Sequence, residues 1–232
     1  MSMMLRNNGR KILVGVLATL LVLSAAGIGV KNYIASQVNS RIARAIPGAT
    51  GINSSIGWGD IAPALTGHGL HTLSGSIKDT PVAGFSVHPE ISFTATNVAT
   101  TSNSVIGSLD IAATIPTKSI TGLVNFPNAQ VVNHTLVIAI DGLNTSAVMV
   151  PAVSNNAIYF QLQSVKVLGA TLTGSSIPAA VQAQVKAKSS RQIKLPTGLK
   201  IQSASLQSSG LLVKMHADNF DFANIGTSFQ SS

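Results

Sequence analysis

Residues 108–115 read S-L-D-I-A-A-T-I. Leu109, Ile111, Ala113 and Ile115 alternate with Ser108, Asp110, Ala112 and Thr114, and a period of two puts the first set on one side of an extended strand. The pattern returns in residues 211–218, where Leu211, Val213, Met215 and Ala217 alternate with Leu212, Lys214, His216 and Asp218. It returns again where Ile158, Phe160 and Leu162 alternate with Tyr159, Gln161 and Gln163. Strands with one wet face and one apolar face belong to antiparallel sheets rather than to doubly covered parallel ones. Residues 136–140, L-V-I-A-I, are apolar on both faces and are expected to lie centrally. Gly, Pro and Asn clusters separate the strands at hairpin-like spacing, with Ser208-Ser209-Gly210 a turn.

The period changes from two to four at both flanks. Ile34, Val38, Ile42 and Ile46 recur every four residues before Pro47-Gly48, which predicts an amphipathic helix over 32–46. Ile177, Val181 and Val185 do the same over 177–192, with Ser175-Ser176 as a cap and Pro178 near the first turn. Lys186, Lys188, Arg191 and Lys194 then suit the negative end of that helix. The fold class expected is α+β: long curved antiparallel sheets packed on two amphipathic helices.

Residues 12–30, I-L-V-G-V-L-A-T-L-L-V-L-S-A-A-G-I-G-V, carry no charge. As a helix they span ~28 Å, close to the ~30 Å hydrocarbon core of a bilayer. A cleaved signal peptide is the alternative, with residues 12–23 as its apolar region and Ser24-Ala25-Ala26 as the cleavage site. The uncleaved anchor is favoured because an amphipathic helix follows without a break. Cations on the two sides nearly balance, and Arg10-Lys11 tips the amino terminus toward the cytoplasm. The organisation expected is a cytoplasmic tail over 1–11, a transmembrane signal-anchor over 12–30, one α+β domain over 31–225 and a loose tail over 226–232.

Charged residues make up only 9 % of the 232-residue chain, while 45 % is apolar, so there is ample material for a core. There is no cysteine, which excludes disulfides, thiolate metal sites and cysteine nucleophiles, and leans toward a bacterial envelope protein. Net charge is +8, and Arg6, Arg10 and Lys11 of that lie before the apolar run. A modestly basic domain beside a membrane fits anionic headgroups. Trp58, Tyr33 and Tyr159 are too scattered for a base-stacking platform, so nucleic acid is not expected.

Enzyme signatures are missing: no G-x-S-x-G, no H-E-x-x-H, no P-loop, no G-x-G-x-x-G. His68 and His71 form an H-x-x-H pair, but T-G-H-G-L-H-T-L reads as turn and strand, where residues three apart face opposite ways. They are expected to be ordinary surface or core histidines. No metal, cofactor or catalytic residue is expected.

Helix 177–192 runs into Leu195-Pro196-Thr197-Gly198-Leu199, a strand, a Gly210-Leu211 turn and a closing strand to Phe222. Together with A-L-T-G-H-G-L at 64–70 and K-D-T-P-V at 78–82, this resembles the LmeA-like family of actinobacterial envelope proteins. Where that family has a "PFL" motif, this chain reads Ile61-Ala62-Pro63-Ala64-Leu65. The resemblance implies a tubular-lipid-binding-like domain that holds phospholipid and supports lipoglycan-type envelope assembly, without catalysis, on the extracytoplasmic side of the cell membrane. It implies no catalytic residues.

Each buried CH₂ of an acyl chain contributes ~0.8 kcal/mol, so an apolar lining outweighs a few headgroup hydrogen bonds. Phe85, Phe93, Ile111, Ala113, Phe160, Val213, Met215 and Ala217 are the expected lining, with inward alanines leaving room for chains. Lys186, Lys188, Arg191 and Lys194 are the expected headgroup or membrane contacts, against the plainer reading of a solvated helix end. Partners expected are a phospholipid, the membrane itself and an envelope-biosynthesis protein. The competing reading is a scaffold subunit with a filled β-core; a lipid hydrolase would need a Ser or Asp beside a His at the cleft.

Overall fold

The computed structural model describes residues 29–44, 46–81, 87–99, 105–123, 128–140, 145–179, 181–183, 195 and 197–221. The expected span 12–30 but for its last two residues, Phe85, the basic set Lys186, Lys188, Arg191 and Lys194, and the tail 226–232 lie outside the described residues. Among the described residues, no helix is long and apolar enough to cross a membrane.

Alternation along the chain becomes two antiparallel sheets. The first holds β1 (Asn53–Ile56), β2 (Leu70–Ile77), β3 (Glu90–Val98), β4 (Val105–Pro116), β10 (Lys200–Gln207) and β11 (Gly210–Asp221), in the order β1-β2-β3-β4-β11-β10. The second holds β5 (Ala129–Val132), β6 (Thr135–Ile140), β7 (Thr145–Ser154), β8 (Ala157–Val167) and β9 (Ala170–Thr173), in chain order. The chain thus leaves the first sheet after β4, builds the second, and returns as a hairpin that sets β11 beside β4 from Val105↔Asp221 to Pro116↔Gly210.

Helix α1 covers 29–44, short of Ile46; Ile34 and Val38 pack on the cluster of the first sheet and Ile42 is buried, as their spacing predicts. Gly48, at φ +83°, turns the chain after it. Two short helices carry no sequence signal: α2 (Ile61–Leu65), entered through a 3₁₀ turn at Trp58–Asp60, and α3 (Thr117–Leu123). The second amphipathic helix is seen only at its start, at residues 179 and 181–183. That start is not capped by Ser175 or Ser176, which form a 3₁₀ turn with Gly174. Instead Val181 and Gln182 donate backbone N–H bonds to the Pro178 carbonyl, and the Gln182 amide reaches the Gly174 and Ile177 carbonyls.

Two buried clusters form the core. One joins the second sheet to the far part of the first, through Leu136, Ile138, Ala147, Met149 and Phe160 against Ile115, Leu206, Leu211 and Val213. The other lies between α1 and the near part of the first sheet, through Ile56, Leu70, Leu73, Leu109, Ala217 and Phe220. Met215 and Leu195 touch both.

A crease crosses the first sheet. On four strands the inward positions pass from odd to even numbers at one level: Leu73 to Leu70, Ala95 to the partly buried Val98, Leu109 to Ile106, Ala217 to Phe220. The pairing does not slip, because Leu109↔Ala217 and Ile106↔Phe220 keep one register. Asn97 (φ +52°) and Asn219 (φ +50°) flank Gly107 there. Asparagine tolerates the left-handed region, and a Cβ on Gly107 would lie 2.9 Å from that of Asn97. The three residues reverse the pleat together, which keeps apolar side chains inward down to the end where α1 begins.

Candidate functional site

Register sets the inward side chains of the first sheet in rows. Ile91, Ala113, Val213 and Ala204 form one row; Phe93, Ile111, Met215 and Ile201 the next; Leu73, Ala95, Leu109 and Ala217 a third. Phe93 sits opposite Gly75, where a Cβ would come within 2.6 Å of the ring. The absent side chain is what lets the ring lie flat on β2. Six of the eight residues expected to line a lipid site therefore share one face of one sheet. Phe160 reaches the same cluster as Val213 from the second sheet.

Burial divides these residues. Val213, Ala217 and Phe160 are 2–3 % exposed and Ala113 is 8 % exposed, all within close-packed surroundings. Ile91, Phe93, Ile111 and Met215 are only half-buried, although they face inward. They lie between the two clusters, where neither α1 nor the second sheet fully covers the first. The inward alanines thus fill the core, and the open apolar surface is made by larger side chains beside them. A strip of half-covered Ile, Phe and Met is chemically suited to an apolar chain.

The outer face of the same strands is polar. His216 lies between two carboxylates: its Nδ1–H donates to Asp110 Oδ1 at 2.7 Å and its Nε2–H to Asp218 Oδ1 at 3.2 Å. Both nitrogens donate only in the imidazolium form. The hydrogen bond to Asp110 is the largest cause that raises its pKa above the ordinary 6.5, followed by the weaker pull of Asp218 against desolvation.

A concavity lies at the creased end. A cleft of about 680 Å³ is lined by Ala62, Pro63, Leu70, Val98 and Ala99, with Thr66, His68, His71 and Asn97 among its polar groups. Both histidines of the H-x-x-H pair stand here, exposed, one in a turn and one on β2; they line one cleft, where the spacing predicts opposite-facing side chains. The Thr66 hydroxyl lies 3.0 Å from the Ala62 carbonyl and shares a 2.8 Å hydrogen bond with His68 Nδ1. Among the described residues no three His, Asp or Glu side chains converge on a metal position. Buried Asp60 supports this wall: its carboxylate accepts the backbone N–H groups of His71 at 2.7 Å and Thr72 at 3.3 Å. Nothing in the spacing of G-W-G-D marks Asp60 as such a brace, because its partners begin eleven residues later.

No family model matches the chain, and neither does any curated protein or solved structure.

Proposed function

We propose that this chain is a membrane-anchored, extracytoplasmic phospholipid-binding protein of the bacterial envelope, similar in role to the LmeA-like proteins and tubular-lipid-binding in character. The observation that carries the reading is the half-buried row Phe93, Ile111 and Met215 with Ile91, an apolar strip between two packed clusters on one sheet. Acyl chains laid along it gain burial without specific polar contacts, so the protein handles lipid rather than transforms it. The basic residues Lys186, Lys188, Arg191 and Lys194 supply headgroup or membrane attraction. Lipoglycan-type envelope assembly, with a protein partner, is the setting the resemblance favours.

A second reading has its own observation. Ala113 and Ala217 are buried, and Leu136, Ala147 and Met149 are fully so, which suits a scaffold with a filled core. Native mass spectrometry of the full chain, extracted in mild detergent, separates the two. Co-purified phospholipid is expected. Ile111→Ser and Met215→Ser should each lower retained lipid about tenfold, the loss of roughly two buried methylenes. Lipid-free protein from wild type and variants alike leaves the scaffold reading.

A further inference from the structure

Exposed large apolar side chains are not scattered over this molecule. Among the described residues six stand out, and four of them, Tyr33, Trp58, Leu65 and Val105, lie at one end of the first sheet. Antiparallel pairing establishes the placement. β2 and β4 begin at that end with Leu70 and Val105, and β3 and β11 finish there with Val98 and Asp221. Trp58 opens the 3₁₀ turn that follows β1, and Leu65 closes α2, whose turn leads into β2. Helix α1 starts there too: the Ser54 hydroxyl donates to the Ala35 carbonyl, and Lys31 Nζ sits 5.2 Å from the Trp58 ring centre. The opposite end of the sheet meets the cluster shared with the second sheet.

Tyr33 and Leu65 are both more than 60 % exposed, and Trp58 nearly as much. Trp and Tyr with an adjacent cation are the side chains that favour the headgroup level of a bilayer, where one end of each is dry and the other wet. The sequence says which bilayer. The uncharged run 12–30 ends at Val30, next to Lys31, on this same end of the domain.

We propose that the end carrying Lys31, Tyr33, Trp58, Leu65 and Val105 is a docking surface for the headgroup–acyl boundary of a lipid bilayer, so the domain stands on the membrane by its creased end. This rests on the membrane-anchored reading and adds its orientation. The 680 Å³ cleft lies at that same end. Leu168, 82 % exposed, stands instead at the β8–β9 turn of the second sheet.

Trp58 is the only tryptophan of the chain, so its fluorescence reports on this surface alone. Full-length protein is reconstituted into vesicles of phosphatidylcholine and phosphatidylglycerol, with or without bromine on the upper acyl carbons. Brominated lipid should quench Trp58 about twofold or more, as for a ring set ~5–10 Å into the boundary, while aqueous acrylamide quenches it weakly. In the double variant Trp58→Phe, Leu168→Trp the two quenchers should exchange effect. Trp58 open to acrylamide and untouched by bromine overturns the proposal. Weak acrylamide quenching with no effect of brominated lipid also overturns it, and assigns the surface to a second copy or a protein. Native mass spectrometry on the same samples keeps the two ideas apart. Retained lipid with a wet Trp58 defeats the docking alone, and a dry Trp58 without retained lipid defeats the lipid-holding reading alone.

Discussion

His216 faces outward from β11 with an aspartate at each ring nitrogen, and its proton decides whether both contacts are attractive. The folded protein raises its pKa, chiefly through Asp110. The contribution to stability is therefore fully present below the ordinary value near 6.5 and is lost as pH rises through the raised folded value. Urea midpoints measured at about pH 5.5 and about pH 8 should differ in the native chain, with the lower pH favoured at this position. His216→Gln should shrink that difference; an unchanged difference would show that other groups set it. The sequence pattern placed Asp110, His216 and Asp218 on the wet face. It held no sign of the Asp110 contact, since alternation says which side a residue faces and not which strand lies next to it.

Strands β4, β8 and β11 were legible because each has its own alternation, and α1 because Ile34, Val38 and Ile42 recur every four residues. Helices α2 and α3 were not, being five and seven residues long. That is under two turns, too short for a period to show. The hairpins of the second sheet explain its regularity. Asn133-His134, Asn155-Asn156 and Leu168-Gly169 each place two residues at positive φ between strands paired without a gap. That is the type I′ geometry, whose twist matches the strands. The middle turn also fastens one sheet to the other. Asn156 Nδ2 donates to the Leu199 carbonyl at 3.1 Å, and its Oδ1 accepts the Ile201 N–H at 2.7 Å. His134 Nδ1 makes a similar reach to the Leu206 carbonyl at 3.1 Å. The first sheet's edge strand, β10, is thus satisfied by turns of the second, which blunts an edge open to wrong pairing. Asn156→Ala should lower unfolding free energy by about 2 kcal/mol, from two lost hydrogen bonds and a less suitable turn residue. Denaturant unfolding measures it, and Asn156→Gly, which keeps the turn conformation, should lose somewhat less.

At the scale of the whole molecule, the face was readable and the filling was not. Alternation correctly put Ile111, Ala113, Val213, Met215 and Ala217 on one inward surface. Which of them is covered depends on what stands opposite, and that follows from a topology in which β11 returns to β4 after six intervening strands. A period of two carries no such information. Small inward residues look like empty space in a sequence, yet Ala217 and Ala95 flank Leu109 across neighbouring strands within a closed cluster. A larger side chain at Ala217 therefore has no void to enter. Ala217→Leu should destabilise the protein by about 1–3 kcal/mol through overpacking, and leave the lipid retained per folded molecule near the native level. Ile111→Ser, one row away and within the half-buried strip, should do the reverse, losing lipid with a smaller loss of stability. Paired urea unfolding and native mass spectrometry on the two variants decide between a lined site and a filled core. If Ala217→Leu removes lipid while stability holds, the space lies at the alanines after all, and the strip formed by Phe93, Ile111 and Met215 is ordinary core.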